Sequence, residues 1–163
     1  MNKENERINL ILSNEIYKES LLNNLKYEKQ REFCHHDIEH FLSVARIAYI
    51  INFEKELKLR KDIIYAAALL HDIGRWQQYA EGTPHDLASA ELAEEILKQS
   101  NYEVEEIVDI RNAIYTHRRL EGKTSKLQEV IYYADKKSRN CFNCTAVKSC
   151  NWAEEKKNYK IDY

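Results

Sequence analysis

Ile63-Ile64-Tyr65-Ala66-Ala67-Ala68-Leu69-Leu70-His71-Asp72-Ile73-Gly74-Arg75 is the stretch on which the fold turns. From Ile63 to Leu70 it is apolar throughout, as a helix buried on all sides would be. A histidine and a carboxylate then stand side by side, where packing calls for neither. Together they offer a neutral nitrogen and an anionic oxygen to one point in space. Imidazole with carboxylate suits divalent metals such as Fe, Mn and Zn. A metal needs more ligands than these, and other segments carry candidates.

With 163 residues the chain can form one domain with a sizeable core. Three Gly and one Pro leave few strand turns, so the composition reads as all-α. A bundle of about six to seven helices is expected. The net charge of −2 argues against general affinity for nucleic acid or an anionic membrane. No apolar stretch is long enough to span a bilayer. The polar start, Met1 to Arg7, is not followed by the apolar core of a signal peptide. A cytoplasmic protein is expected, its four Cys being thiols or metal ligands rather than disulfides. Self-association stays open.

Periodicity places a first helix within Asn5 to Lys29, which Ser13-Asn14 can interrupt, and a second from Asp37 to Phe53. A third covers Lys61 to Ile73, with Gly74 placed to end it. Thr83-Pro84-His85-Asp86 opens a fourth that runs to Gln99. Thr83 serves as cap, Pro84 as first helical residue and Asp86 as capping-box acid. A fifth spans Val104 to Arg118 and a sixth Ser125 to Arg139. The tail from Cys141 to Tyr163 holds at most a short helix near Trp152 to Asn158.

Three of these helices carry a ligand-type residue on an apolar stripe. His40 shares a face with Val44, Ile47 and Ile51; His117 follows Ile107, Ile110 and Ile114; Asp135 follows Leu127 and Ile131. Taken alone, each reads as a core residue bonded to backbone. A buried carboxylate is costly unless paired or bound to metal, however, and the coincidence favours a shared site. His85 is expected in an exposed first turn, where a solvated helix-start residue is an equal reading.

These anchors, in the order His40, His71-Asp72, His85, His117, Asp135, resemble the HD-domain superfamily of metal-dependent phosphohydrolases. The resemblance runs from about His36 to Arg139, so residues 1–163 read as one such domain. Residues 1–30 form its N-terminal helical segment, 36–139 its core and 140–163 a Cys-containing tail packed on the core. It implies that His40, His71, Asp72 and Asp135 form a basic metal site. His85 and His117 match positions that add a second ion in some branches, with Asp72 bridging. The pattern is most similar to the bacterial branch that hydrolyses symmetrical dinucleoside tetraphosphates and is thought to use iron. Where that branch often has Lys after the His-Asp-Ile-Gly run, this chain has Arg75.

The implied activity is hydrolysis of a nucleotide or related phosphorylated metabolite by metal-activated water. Asp72, Arg75 and Lys136 are the catalytic candidates, with Arg75 and Arg118 as substrate contacts. The guanidinium fork of Arg75 suits a phosphate, although it equally suits the carbonyl end of the third helix. His36 stands one turn before His40 and reads either as a pocket or supporting residue or as a polar helix start. Trp76 and Tyr79 read either as base-stacking or as rim packing. Two other functions compete: a ligand-sensing or partner-binding module with little turnover, and an interaction protein stapled by metal.

Cys34 and the Cys141, Cys144, Cys150 run (C-x2-C-x5-C) suggest a second site. Four thiolates are the usual count for structural Zn or a [4Fe–4S] cluster. Cys34 and Cys141 each lie six residues outside a proposed ligand, about 9 Å along a helix. Unrelated reduced thiols, or a disulfide within the tail, are the alternatives.

Overall fold

Asn14 divides the N-terminal segment in two. Its backbone is extended, and its Oδ1 accepts from the N–H groups of Ile16 and Tyr17, so one helix stops and the next is capped by the same residue. The computed structural model describes residues 2–163. Over these it forms eight α-helices and no strand: α1 Lys3–Ser13, α2 Glu15–Tyr27, α3 Ile38–Glu54, α4 Lys61–Leu70, α5 Arg75–Glu81, α6 His85–Gln99, α7 Val104–Thr116 and α8 Lys126–Lys137. None of them is long and apolar enough to cross a membrane.

The apolar stretch forms the central helix. Ile64 and Ala66 through Leu70 are fully enclosed, with α3, α7, α1, α6 and α8 packed around them. Alanines let these neighbours approach closely, while Leu69, Leu70 and Ile73 fill the space between them. α3 lies against both α4 and α8, and α6 lies against α7 and α5. The C-terminal end of α4 therefore meets the first turns of α3 and α6 and the last turns of α7 and α8.

The structure departs from the sequence expectations in three places. Gly74 does not end a helix in the left-handed conformation; α4 stops at Leu70, and Gly74, at φ −90°, starts the separate helix α5. Thr83 does not cap α6, which starts at His85 after an extended Pro84 and has no side-chain cap bond. The short helix expected near Trp152 is a single 3-10 turn, Glu154–Lys156, and a second such turn lies at Cys141–Asn143.

Candidate metal centre

His71 and His117 are the residues immediately after α4 and α7. Each turns its Nδ1 back to the carbonyl three residues earlier, His71 to Ala68 at 2.7 Å and His117 to Ile114 at 2.5 Å. Those carbonyls belong to the last helical turn, which lacks intrahelical donors. A carbonyl oxygen can only accept, so the Nδ1 atoms carry protons and the Nε2 atoms face away from their helices. The same bond that finishes each helix thus aims a nitrogen donor into the interior.

His40 comes from the first turn of α3, where the Asp37 carboxylate receives its main-chain N–H. Its Nδ1 meets Ser138 Oγ at 3.2 Å, and its Nε2 lies 3.3 Å from His71 Nε2 and 3.4 Å from Asp135 Oδ1. His85 starts α6. Contrary to expectation it is only 3 % exposed, because α5 folds over it. Gln78 Oε1 of α5 takes its Nδ1 at 2.6 Å.

Asp72 joins these groups. Its Oδ2 lies 3.2 Å from His71 Nε2 and 4.0 Å from His40 Nε2, while its Oδ1 lies 3.2 Å from His85 Nε2 and 3.5 Å from His117 Nε2. Ligand atoms of His40, His71, Asp72 and Asp135 all fall within 4.8 Å of one another, as do those of Asp72, His85 and His117. All six residues are buried.

The electrostatics describe a place built for cations. Burial pushes His40 and His85 down to about 3. Burial would push His71 down too, but the charge of Asp72 and bonds to Asp135 and Asp72 raise it to about 9. Asp72 and Asp135 overcome their own desolvation through the surrounding histidines and are held well below the usual carboxylate range. The two carboxylates thus demand positive charge at this point, and the Arg75 guanidinium beside His85 supplies part of it. Asp72 Oδ1 still lacks a hydrogen bond although buried. Inward nitrogen donors around two carboxylates suit a divalent ion such as Fe or Mn, so the residues fit the metal that their types suggest.

The family model for the HD domain matches residues 37–140. The chain belongs to the HD domain family. An uncharacterized protein of Clostridium beijerinckii is 47% identical over 158 residues, which cover 97% of this chain and 99% of that one. A crystal structure of a predicted HD superfamily hydrolase from an uncultured Thermotogales bacterium has a similar fold, with a TM-score of 0.61 at 24% identity. That match covers 86% of this chain and 80% of the other.

Around this HD centre the cationic candidates differ in placement. Arg75 Nη1 lies 2.9 Å from His85 Nε2, and its Nε donates to Tyr79 Oη at 3.3 Å, so it stands at the mouth of the site. Lys136 Nζ is engaged with Asp135 Oδ2 at 2.6 Å and the His117 carbonyl at 3.2 Å. Arg118 is nearly half exposed and lies 4.0 Å from Asp86. The cysteines form no group of three ligand atoms among the described residues, and Cys34 is exposed. The tail is held by Asn158, whose Nδ2 donates to the carbonyls of Lys136 at 2.7 Å and Arg139 at 3.0 Å.

Several contributors carry no sequence signal strong enough to single them out. Asn24 of α2 donates to the Asp72 carbonyl at 3.0 Å and accepts from Trp76 N at 2.8 Å. Arg139, nearly buried, donates to Asp135 Oδ1 at 3.3 Å. Glu28 closes α2 and is buried against His36. Burial would raise Glu28, but the hydrogen bonds and charge of His36 hold it down to about 2.

Proposed function

We propose that the protein is a metal-dependent phosphohydrolase acting on a nucleotide or a related phosphorylated metabolite. His40, His71, Asp72 and Asp135 would hold one divalent ion, and Asp72, His85 and His117 a second. The observation that carries the reading is the division of Asp72: each oxygen faces its own set of buried donors. When bound, such ions supply the Lewis acidity that activates water and offsets phosphoryl charge.

The chain's own groups then have distinct tasks. Arg75, pivoting on Tyr79, offers a planar fork to a non-bridging phosphate oxygen. Lys136 and Arg139 neutralise Asp135 and hold it in place. Arg118 reaches the rim and can meet a distal phosphate. Tyr27 and Tyr79 are exposed and stacked, with centroids 6.2 Å apart. That aromatic surface beside Arg75 supports a substrate carrying a base. The presence of all six ligand-type residues favours turnover over a sensing role.

The test is a hydrolysis screen of nucleotides and dinucleoside polyphosphates with Fe, Mn, Co and Ni. Asp72→Ala is expected to abolish metal binding and hydrolysis together, with helical content kept. His117→Ala is expected to lower the metal content of a fully loaded sample by one ion. Inactivity across the screen in metal-loaded protein would favour the sensing module.

A further inference from the structure

His36 precedes α3 by two residues, yet it is only 4 % exposed. The Glu28 carboxylate holds it twice. Glu28 Oε2 accepts its main-chain N–H at 2.7 Å, and Oε1 meets the ring Nδ1 at 2.5 Å. Tyr79 Oη also donates to Oε1, at 2.8 Å, which fixes the carboxylate from the far side. An ionised carboxylate can only accept, so the ring proton sits on Nδ1. Nε2 is thereby turned inward, 3.6 Å from Asp72 Oδ2. That separation lies between those of His71 and His40 from the same oxygen, 3.2 and 4.0 Å.

The geometry assigns His36, with Glu28 behind it, to the metal centre as a further nitrogen donor on the Asp72 Oδ2 side. Each histidine of the centre divides its ring the same way, Nδ1 to an oxygen outside and Nε2 inward, and His36 does so with the strongest acceptor of the set. A carboxylate behind an imidazole fixes its tautomer and raises its basicity toward a metal. A histidine serving only to tie α2 to α3 needs its Nδ1 and main chain, both of which Glu28 satisfies. It has no need to aim a nitrogen at an anionic oxygen, a contact that is repulsive unless a proton or a metal ion lies between them. His36 lies outside the tight four-residue group. It therefore completes the coordination from the Glu28 side and does not replace a member.

The inference rests on the His and Asp cluster being a metal centre, not on hydrolysis, and its test reads metal alone. Full-length protein is titrated with Mn2+ or Co2+ in competition with a chelator. His36→Ala is expected to weaken binding by about 10- to 100-fold and to change the visible spectrum of the cobalt-loaded protein. Glu28→Gln is expected to weaken it in the same direction. His36→Gln, closer in bulk, serves where the alanine variant does not fold. Metal affinity and cobalt spectrum equal to those of the parent in a folded His36 variant would overturn the assignment, even if its melting temperature fell. Wild-type protein that binds metal without hydrolysing any substrate would sink the proposed function and leave this assignment standing.

Discussion

At Gly74 a single absent methyl group decides how closely α5 can approach α6. A Cβ there would come within 2.5 Å of Ser89 N and 2.7 Å of the Ala88 carbonyl carbon, both backbone atoms unable to step aside. Gly74 N also donates to Ser89 Oγ at 2.9 Å. Gly74→Ala is expected to cost about 1–3 kcal/mol of stability, read from urea unfolding, and to weaken metal binding because Asp72 and Arg75 flank it. Asn24 is fully buried and its amide serves two main-chain groups of the same turn. Asn24→Ala orphans both, at roughly 1–3 kcal/mol for each, and the same unfolding experiment measures it. The sequence exposed His40, His117 and Asp135 because each breaks an apolar stripe. Glu28 and Asn24 break no pattern; they act on His36, Asp72 and Trp76 through contacts that only the folded chain creates. Gly74 was legible as punctuation but not as a close contact, since its partner lies fifteen residues on.

Among the elements, α1 adds to its apolar packing one buried polar anchor. Arg7, 4 % exposed, donates to Asp62 of α4 at 2.8 Å and pairs with Glu106 of α7, its guanidinium 3.7 Å from the centroid of the Tyr102 ring. Arg60 joins the same two carboxylates from the surface. Arg7→Ala leaves buried Asp62 with Arg60 as its one remaining cation, and a loss of about 3 kcal/mol is expected. The pH dependence follows from Glu106. Burial would raise it from its ordinary 4.5, but bonds from Arg7, the Glu103 main chain and Arg60 bring it to about 2. A depressed carboxylate contributes stability above its unfolded value and loses it as pH falls through its folded value. The melting temperature should therefore fall between about pH 4.5 and 2, and Arg7→Ala should flatten that slope. The break between α1 and α2 was readable at Ser13-Asn14, because an Asn cap is a local device. Helix α5 was not, because its seven residues are too few to show a helical period and its clearest stop, left-handed Gly82 at φ 79°, lies at its far end.

For the whole molecule, the donors of the two sets come from α3, α6 and α8 and from the turns that end α4 and α7. An ion placed among them would tie five helices at the one point where they converge. The tail is joined to the end of α8 through Asn158 and carries three of the four cysteines of a second candidate metal arrangement. Ligand order in the chain revealed the first of these arrangements, because helix ends and stripes are local patterns. It left the cysteine set open, because cysteine spacing shows which thiols could meet and not whether the fold brings them together. The two arrangements predict different responses to metal. Binding to the folded state alone stabilises it by RT ln(1 + [L]/Kd), about 2.7 kcal/mol at a hundredfold excess over Kd. Mn2+ should therefore raise the melting temperature of the protein, and a chelator should return it to the metal-free value. The variant with Cys34, Cys141, Cys144 and Cys150 all changed to Ser should keep the whole of that rise, whereas Asp72→Ala should lose it. A rise that disappears with the cysteines and survives Asp72→Ala would move the stabilising metal from the helix convergence to the tail.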